Sequence, residues 1–302
     1  MKLTLDSIRS SRASSRPLRL VLYGNPGVGK STFAAQAPSP VFLCGEDGAS
    51  YLDVPAFPKP ETWTDVLESV DLLAREEHAY KTLVIDTLDG LEPLCWAHVC
   101  KAGGKKDIED FGYGKGYLAA VDAWRGLLVR LERLQATRGM HLVCLAHAVA
   151  RDHKDPEHDA WKRWEPKLHG KAVEEFVQWT DALLYATYET LARREGHKVK
   201  GLSTGERILH TAWTAAHNAK NRYGLPEQLS LDWGAFWLAF QGSQTSPDAV
   251  RAECAALIDK LPEERAQKAL GRLTTTTTLD DLLKLRAQLQ HVTTTANTNH
   301  AA

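Results

Sequence analysis

Leu18-Arg19-Leu20-Val21-Leu22-Tyr23-Gly24-Asn25-Pro26-Gly27-Val28-Gly29-Lys30-Ser31-Thr32 is the stretch whose reading decides the fold. An apolar run fit for a buried strand enters a glycine-containing loop that closes on Lys and Ser, filling every fixed position of the phosphate-binding P-loop. Glycines let main-chain N–H groups turn inward around an anion, Lys30 can reach the β- and γ-phosphates, and Ser31 can hold Mg²⁺. The run Thr32-Phe33-Ala34-Ala35-Gln36-Ala37 is compatible with the helix that a P-loop requires next. Nucleotide contacts are therefore expected from Gly24, Asn25, Pro26, Gly27, Val28, Gly29, Lys30, Ser31 and Thr32, with a nucleoside triphosphate and Mg²⁺ as ligands. A glycine turn that holds no ligand is the competing reading.

Bulk properties narrow the function classes. The 302 residues, 43% hydrophobic and 25% charged, suit one large domain or a domain with an appendage. A formal net charge of −1 predicts no global attraction to nucleic acid or membrane, so any polyanion site must be a local patch. The five cysteines, Cys44, Cys95, Cys100, Cys144 and Cys254, form no CxxC pair and read as reduced core thiols. Met1–Arg16 lacks a signal-peptide core and no run approaches transmembrane length, so a cytoplasmic protein is expected, neither exported nor membrane-spanning.

Short apolar strands alternating with longer helical stretches predict a mostly parallel sheet covered by helices. The strands are expected at Leu18–Tyr23, Val41–Cys44, Thr82–Ile85, Leu142–Ala146 and Ala182–Ala186. Thr62-Trp63-Thr64-Asp65 resembles a capping box, and Val66, Leu67, Val70 and Leu73 follow at helical spacing. A second helix is expected from about Tyr117 to Gln135, a hairpin over Glu189–Trp213, and a core-packing aromatic stripe at Trp233, Phe236, Trp237 and Phe240. The domains predicted are a polar arm, 1–16, an ATPase core, 17–242, and a C-terminal segment, 243–302. That last segment reads as two short helices, Ala249–Lys260 and Leu279–Leu289, followed by a disordered Thr/Asn tail.

Leu83-Val84-Ile85-Asp86 is an apolar strand ending in an acid, the pattern of the Walker B element whose carboxylate holds Mg²⁺. Thr87 follows Asp86, so the glutamate that AAA+ enzymes place beside this aspartate is absent and a water-activating carboxylate must come from elsewhere. Glu46, at the end of Val41-Phe42-Leu43-Cys44-Gly45, resembles the catalytic glutamate of RecA and its relatives. Its bland alternative is a solvent-exposed turn acid. His147 ends His141-Leu142-Val143-Cys144-Leu145-Ala146-His147, where RecA-like enzymes put a polar γ-phosphate sensor; a structural histidine is the alternative. Lys220-Asn221-Arg222-Tyr223-Gly224 is similar to the Lys-x-Arg-x-Gly segment of DnaB-type helicases. In that family the two cations enter the neighbouring subunit's site and neutralise charge on the transferring phosphoryl group. The resemblance makes Lys220 and Arg222 candidates for that role, an ordinary basic turn being the alternative.

The order of P-loop, Glu46, Asp86-Thr87, His147 and Lys220/Arg222 is similar to a RecA-type core. With Asp110-Phe111-Gly112-Tyr113-Gly114-Lys115-Gly116-Tyr117 and Pro166-Lys167-Leu168-His169-Gly170-Lys171, it resembles the phage RecA/RadA-like ATPases among the Sak single-strand annealing proteins. The resemblance covers residues 17 to about 242. It implies a RecA-like α/β P-loop NTPase core with a small helical appendage, ATP with Mg²⁺, self-assembly as filament or ring, and binding and annealing of single-stranded DNA in phage recombination. It also implies a place in the host cytoplasm and, as a further candidate partner, a single-strand-binding protein. The runner-up is a DnaB- or KaiC-like motor or switch that acts on a protein.

RecA-like proteins bind single strands through a loop after the Walker B helix and another after the sensor strand. Here the first position offers Lys105, Lys106 and Lys115 with Phe111, Tyr113 and Tyr117. The second offers Trp161, Lys162, Arg163, Trp164, Lys167 and Lys171 within a long segment, Arg151–Lys171. Cations interleaved with aromatics suit a strand whose phosphates need charge and whose bases need stacking faces. A protein-interaction loop or a solvated lid is the alternative. His153, His158 and His169 fit no common metal-site spacing. No Asn-Lys-x-Asp guanine reader occurs, which favours ATP over GTP.

Overall fold

The computed structural model describes residues 17–46, 51–195, 198–244, 247–278, 281–282, 284–286 and 288–289. The predicted arm 1–16 and the Thr/Asn tail lie outside the described residues. The chain divides into two compact units, one spanning Arg16–Phe236 and one containing Trp237 onward.

In the first unit, β1 (Arg19–Gly24), β2 (Pro40–Cys44), β3 (Thr82–Asp86), β4 (His141–His153) and β6 (Ala182–Glu195) run parallel in the order β2-β3-β4-β1-β6. β7 (Lys198–His210) and β9 (Gln228–Ser230) extend the sheet antiparallel beyond β6, and β8 (Lys220–Asn221) pairs with the start of β6. The expected fold is the observed one, a mostly parallel sheet flanked by helices. Its order places β4 between the P-loop strand and the Walker B strand. Both sheet faces are apolar because parallel strands are covered on both sides. Val21, Tyr23, Leu43, Ile85 and Cys144 join a cluster with α2 (Trp63–Arg75), α3 (Leu88–Ala102), α4 (Lys115–Arg138) and α5 (Gly170–Trp179). Leu20, Leu22 and Phe42 are equally buried outside that cluster. Phe33 of α1 (Lys30–Ala35) packs edge-on against Trp233 and Phe236, the first half of the predicted aromatic stripe.

Local chemistry explains the helix ends. Thr62 and Asp65 form the expected capping box, the threonine oxygen accepting from Asp65 N–H and the carboxylate accepting from Thr62 N–H at 2.8 Å. Asp110-Phe111 lies in a 3₁₀ turn, Ile108–Phe111, closed by a second capping box from Asp107. Gly116 is required there, because an added Cβ would sit 2.1 Å from the Ile108 carbonyl oxygen.

Two segments differ from expectation. The stretch expected as a long loop, Arg151–Lys171, forms a hairpin, because β4 continues through His153 and pairs with β5 (Trp161–Pro166). In β5, Trp164 stacks on Tyr185 with centroids 6.2 Å apart, and Trp164 N–H donates to Ala216 O at 2.9 Å. Tertiary contacts thus order what local composition reads as loop. In the second unit α7 (Pro247–Ile258) matches an expected helix, whereas α8 (Glu263–Thr275) lies between the two expected helices, where no element was predicted. Val250, Cys254, Ile258, Leu273, Leu282, Leu285 and Leu289 form that unit's own core. All five cysteines are free and buried.

Candidate functional site

The P-loop leaves β1 at Gly24, where an added Cβ would meet the Ala186 carbonyl oxygen of β6 at 2.3 Å. Gly27 and Gly29 adopt φ of 76° and 106°, conformations that an L side chain resists. Outside the loop, the Tyr188 hydroxyl donates to Gly27 O at 3.1 Å and Arg207 Nη1 to Val28 O at 3.5 Å. Sequence reading did not single out either residue, since both lie in the antiparallel hairpin β6–β7. Lys30 is 5% exposed, and its ammonium donates to Gly24 O at 3.0 Å and Asn25 O at 3.1 Å. Burial holds its pKa below the ordinary lysine value, against the attraction of Asp86, Asp89 and Glu46.

Asp86 ends β3 with a buried carboxylate whose Oδ2 has no hydrogen-bond partner. Burial raises its pKa, opposed by a hydrogen bond from Ser31 and by the Lys30 charge. A buried, unpaired acid oxygen beside the Ser31 hydroxyl fits a hard, oxygen-seeking cation, so the two residues present suit Mg²⁺.

Glu46 lies across from this pair. Its Oε1 accepts from the Thr87 hydroxyl at 3.0 Å, and Thr87 in turn caps α3 by accepting from Gly90 N–H at 3.1 Å. The approach of β2 to α3 relies on two small residues: an added Cβ at Gly45 would lie 2.9 Å from Gly90 C, and one at Gly90 2.8 Å from Glu46 Cγ. His147 ends the sheet portion of β4 with Nδ1 3.9 Å from Glu46 Oε1. One cleft of about 310 Å³ is lined by P-loop residues together with Lys30, Ser31, Glu46, Asp86, Thr87 and His147. The structure therefore brings Pro26, Gly27, Gly29, Lys30, Ser31, Thr32, Glu46, Asp86 and His147 to one cleft, whereas Gly24, Asn25 and Val28 are not among its lining residues.

Asp89 was missed. Three residues past Asp86, in the first turn of α3, it accepts from the His147 main-chain N–H at 2.9 Å and pairs with His147 Nδ1 at 2.8 Å. Its sequence signal was an acid where a helix start favours one. Burial pushes its carboxyl up, but the two bonds to His147, with the His147 charge and a hydrogen bond from Thr87, together hold it below the usual carboxylate range. One ligand atom from each of Glu46, Asp89 and His147 lies within 4.8 Å of the others.

Lys220 and Arg222 stand apart from this chain's own site. Lys220 opens β8 and Arg222 follows it, and β8 pairs with Ala182 and Leu183 at the amino ends of the parallel strands, whereas the P-loop lies at the carboxyl ends. Lys220 Nζ donates to Val177 O at 2.6 Å and Gln178 O at 3.0 Å, the free carbonyls ending α5, and Arg222 pairs with Asp181 at 3.1 Å. Of the DNA candidates, Lys105, Lys106, Lys115, Lys162, Lys167 and Lys171 are exposed. Arg163 is bonded to Glu165 at 2.5 Å and Trp164 is stacked within the fold, so neither offers a free face. Trp161 is half-buried, its Nε1 donating to Ala215 O at 2.7 Å.

The family described as AAA domain matches residues 16–223. The chain belongs to that family. Membership and the P-loop geometry together indicate a P-loop ATPase. Among solved structures, the RadB recombinase is similar at a TM-score of 0.36 and 11% identity, covering 65% of this chain and 80% of that one. The flagellar accessory protein FlaH from Methanocaldococcus jannaschii is similar at 0.34 and 10% identity, covering 68% and 80%. At these values neither likeness bears on activity. No curated protein matches this AAA domain chain. Among the described residues, no helix is long and apolar enough to cross a membrane.

Proposed function

We propose that this AAA domain protein hydrolyses ATP and couples the nucleotide state to single-stranded DNA, assembling with copies of itself to promote strand annealing in phage recombination. The observation that carries the ATPase part is the convergence of Lys30, Ser31, Asp86, Glu46 and His147 on one cleft from separate chain segments. Lys30 would exchange its two loop carbonyls for β- and γ-phosphate oxygens. Ser31 and Asp86 would hold Mg²⁺, which when bound neutralises charge on those oxygens. Glu46, oriented by the Thr87 hydroxyl, would position and deprotonate the attacking water, and His147 would report the γ-phosphate. Lys220 and Arg222 would complete a neighbour's site only by leaving the α5 carbonyls and Asp181.

Support for the DNA part is narrower. Six exposed lysines, Lys105, Lys106, Lys115, Lys162, Lys167 and Lys171, lie on the two segments where RecA-like proteins meet single strands. Sequence-tolerant binding needs such cations to follow the phosphates. The testing experiment is the rate of phosphate release from ATP with and without single-stranded DNA, at two salt concentrations, for wild type and Lys30→Ala. Turnover that needs Lys30 and rises with DNA, the rise fading at high salt, is the expected result. Turnover indifferent to DNA would overturn the DNA coupling, and turnover untouched by Lys30→Ala would overturn the site itself.

A further inference from the structure

We propose that Asp89 is the positioning residue that fixes the ring orientation and tautomer of His147, so that Nε2 is the imidazole atom presented to the nucleotide. The inference rests on the ATPase reading for its kinetic consequence and on the structure alone for its geometry.

Two bonds from one carboxylate grip His147: Oδ1 takes the main-chain N–H at 2.9 Å and Oδ2 the ring Nδ1 at 2.8 Å. A main-chain grip fixes where the residue sits, and a ring grip fixes how it is turned. Neither could do both alone. The Asp89 side chain is 5% exposed and that of His147 19%, so water competes poorly for these bonds. An ionised carboxylate only accepts, which requires the proton on Nδ1 and leaves Nε2 as the free ring nitrogen. The His147 ring lines the same cleft as Lys30, Asp86 and Glu46. Asp89 itself lines a neighbouring cleft with Glu92, Arg151 and Lys167 and stands 3.9 Å from Lys167 Nζ. Lys167 N–H, moreover, donates to His147 O at 2.8 Å. Asp89 therefore does not face the phosphates; it acts through His147. An Asp–His pair in which the acid sets the tautomer is a known route to large kinetic effects with the geometry left intact.

Asp89→Asn nearly preserves shape but can present an amide N–H to Nδ1, which favours the opposite tautomer. In the full-length protein, kcat for ATP is expected to fall about 10²-fold or more with KM changed less than about threefold. Nitrogen NMR of ¹⁵N-histidine-labelled protein should show His147 Nδ1 protonated in wild type and unprotonated in Asp89→Asn. In a His147→Gln background, adding Asp89→Asn should cost less than about threefold more, since a residue acting through another adds nothing once that one is gone. An unchanged His147 tautomer in Asp89→Asn would overturn the positioning role. So would a tautomer switch with wild-type kcat, or full additivity in the double variant. A wild-type protein without turnover would sink the ATPase reading instead, and the NMR comparison would still decide Asp89.

Discussion

Gly90→Ala is expected to slow ATP turnover about 10²-fold while leaving nucleotide affinity nearly untouched, with a modest loss of stability where the methyl meets the Gly45 backbone. The added methyl would lie 2.8 Å from Glu46 Cγ, 3.1 Å from its Oε1 and 3.2 Å from the Gly45 carbonyl carbon. Carbon atoms settle about 3.5–4.0 Å apart, so the Glu46 side chain must retreat by roughly 1 Å. With 44% of its side-chain surface exposed, Glu46 has open space to retreat into, so the move costs little stability. Alanine in place of glycine within α3 offsets that cost by up to about 1 kcal/mol. What the retreat destroys is the 3.0 Å bond from Thr87 that aims the carboxylate. A misplacement of about 1 Å at a catalytic group costs about 10²-fold, or about 2.7 kcal/mol in the barrier. Steady-state phosphate release, calorimetric binding of a non-hydrolysable analogue with Mg²⁺, and a thermal melt measure the three quantities separately. Wild-type turnover in folded Gly90→Ala would refute the assignment of Glu46 to the water. A collapse of analogue affinity would show instead that the clash was relieved through the P-loop.

Replacing Lys105, Lys106, Lys115 and Lys171 by glutamine should weaken single-strand binding in a fluorescence titration and reduce the log–log salt slope by about 0.7 for each phosphate left without its lysine; an unchanged isotherm would exclude this face. Lys220→Met should lower stability in denaturant melts by about 1–2 kcal/mol, because two carbonyls ending α5 lose their donor. Mixing Glu46→Gln with Arg222→Ala subunits should restore part of the hydrolysis each lacks alone, and no rescue at any ratio would assign Arg222 to Asp181 only. Burial, reinforced by the neighbouring His217, lowers His210 to about 4. A depressed folded-state pKa means stability held above about pH 6.5 and lost as pH falls toward 4. Denaturant midpoints should therefore drop across that window, and His210→Phe should flatten the drop.

Much of the core was legible because its signals are local. The P-loop, the Thr62–Asp65 box and the apolar strands each declare themselves within a few residues, and each appears in the structure where expected. Glu46, Asp86 and His147 were found because strand ends on one side of a parallel sheet must converge. What was illegible depends on partners distant in sequence or hidden by strand geometry. Trp164 reads as a free stacking face until Tyr185 is seen against it, and Arg163 reads as a free cation until Glu165 is seen on the same strand. Helix α8 carries few apolar residues and gains its place only from the small core that Leu273 joins. Asp89 carries no sequence signal beyond an acid at a helix start, and only the fold sets His147 beside it.

β4 runs unbroken for 13 residues, from His141 through the nucleotide cleft to His153 at the far end of the hairpin. At about 3.3 Å per residue, the six steps beyond His147 span roughly 20 Å. One continuous strand therefore carries both the histidine of the nucleotide cleft and the residue paired with Trp161 in the hairpin.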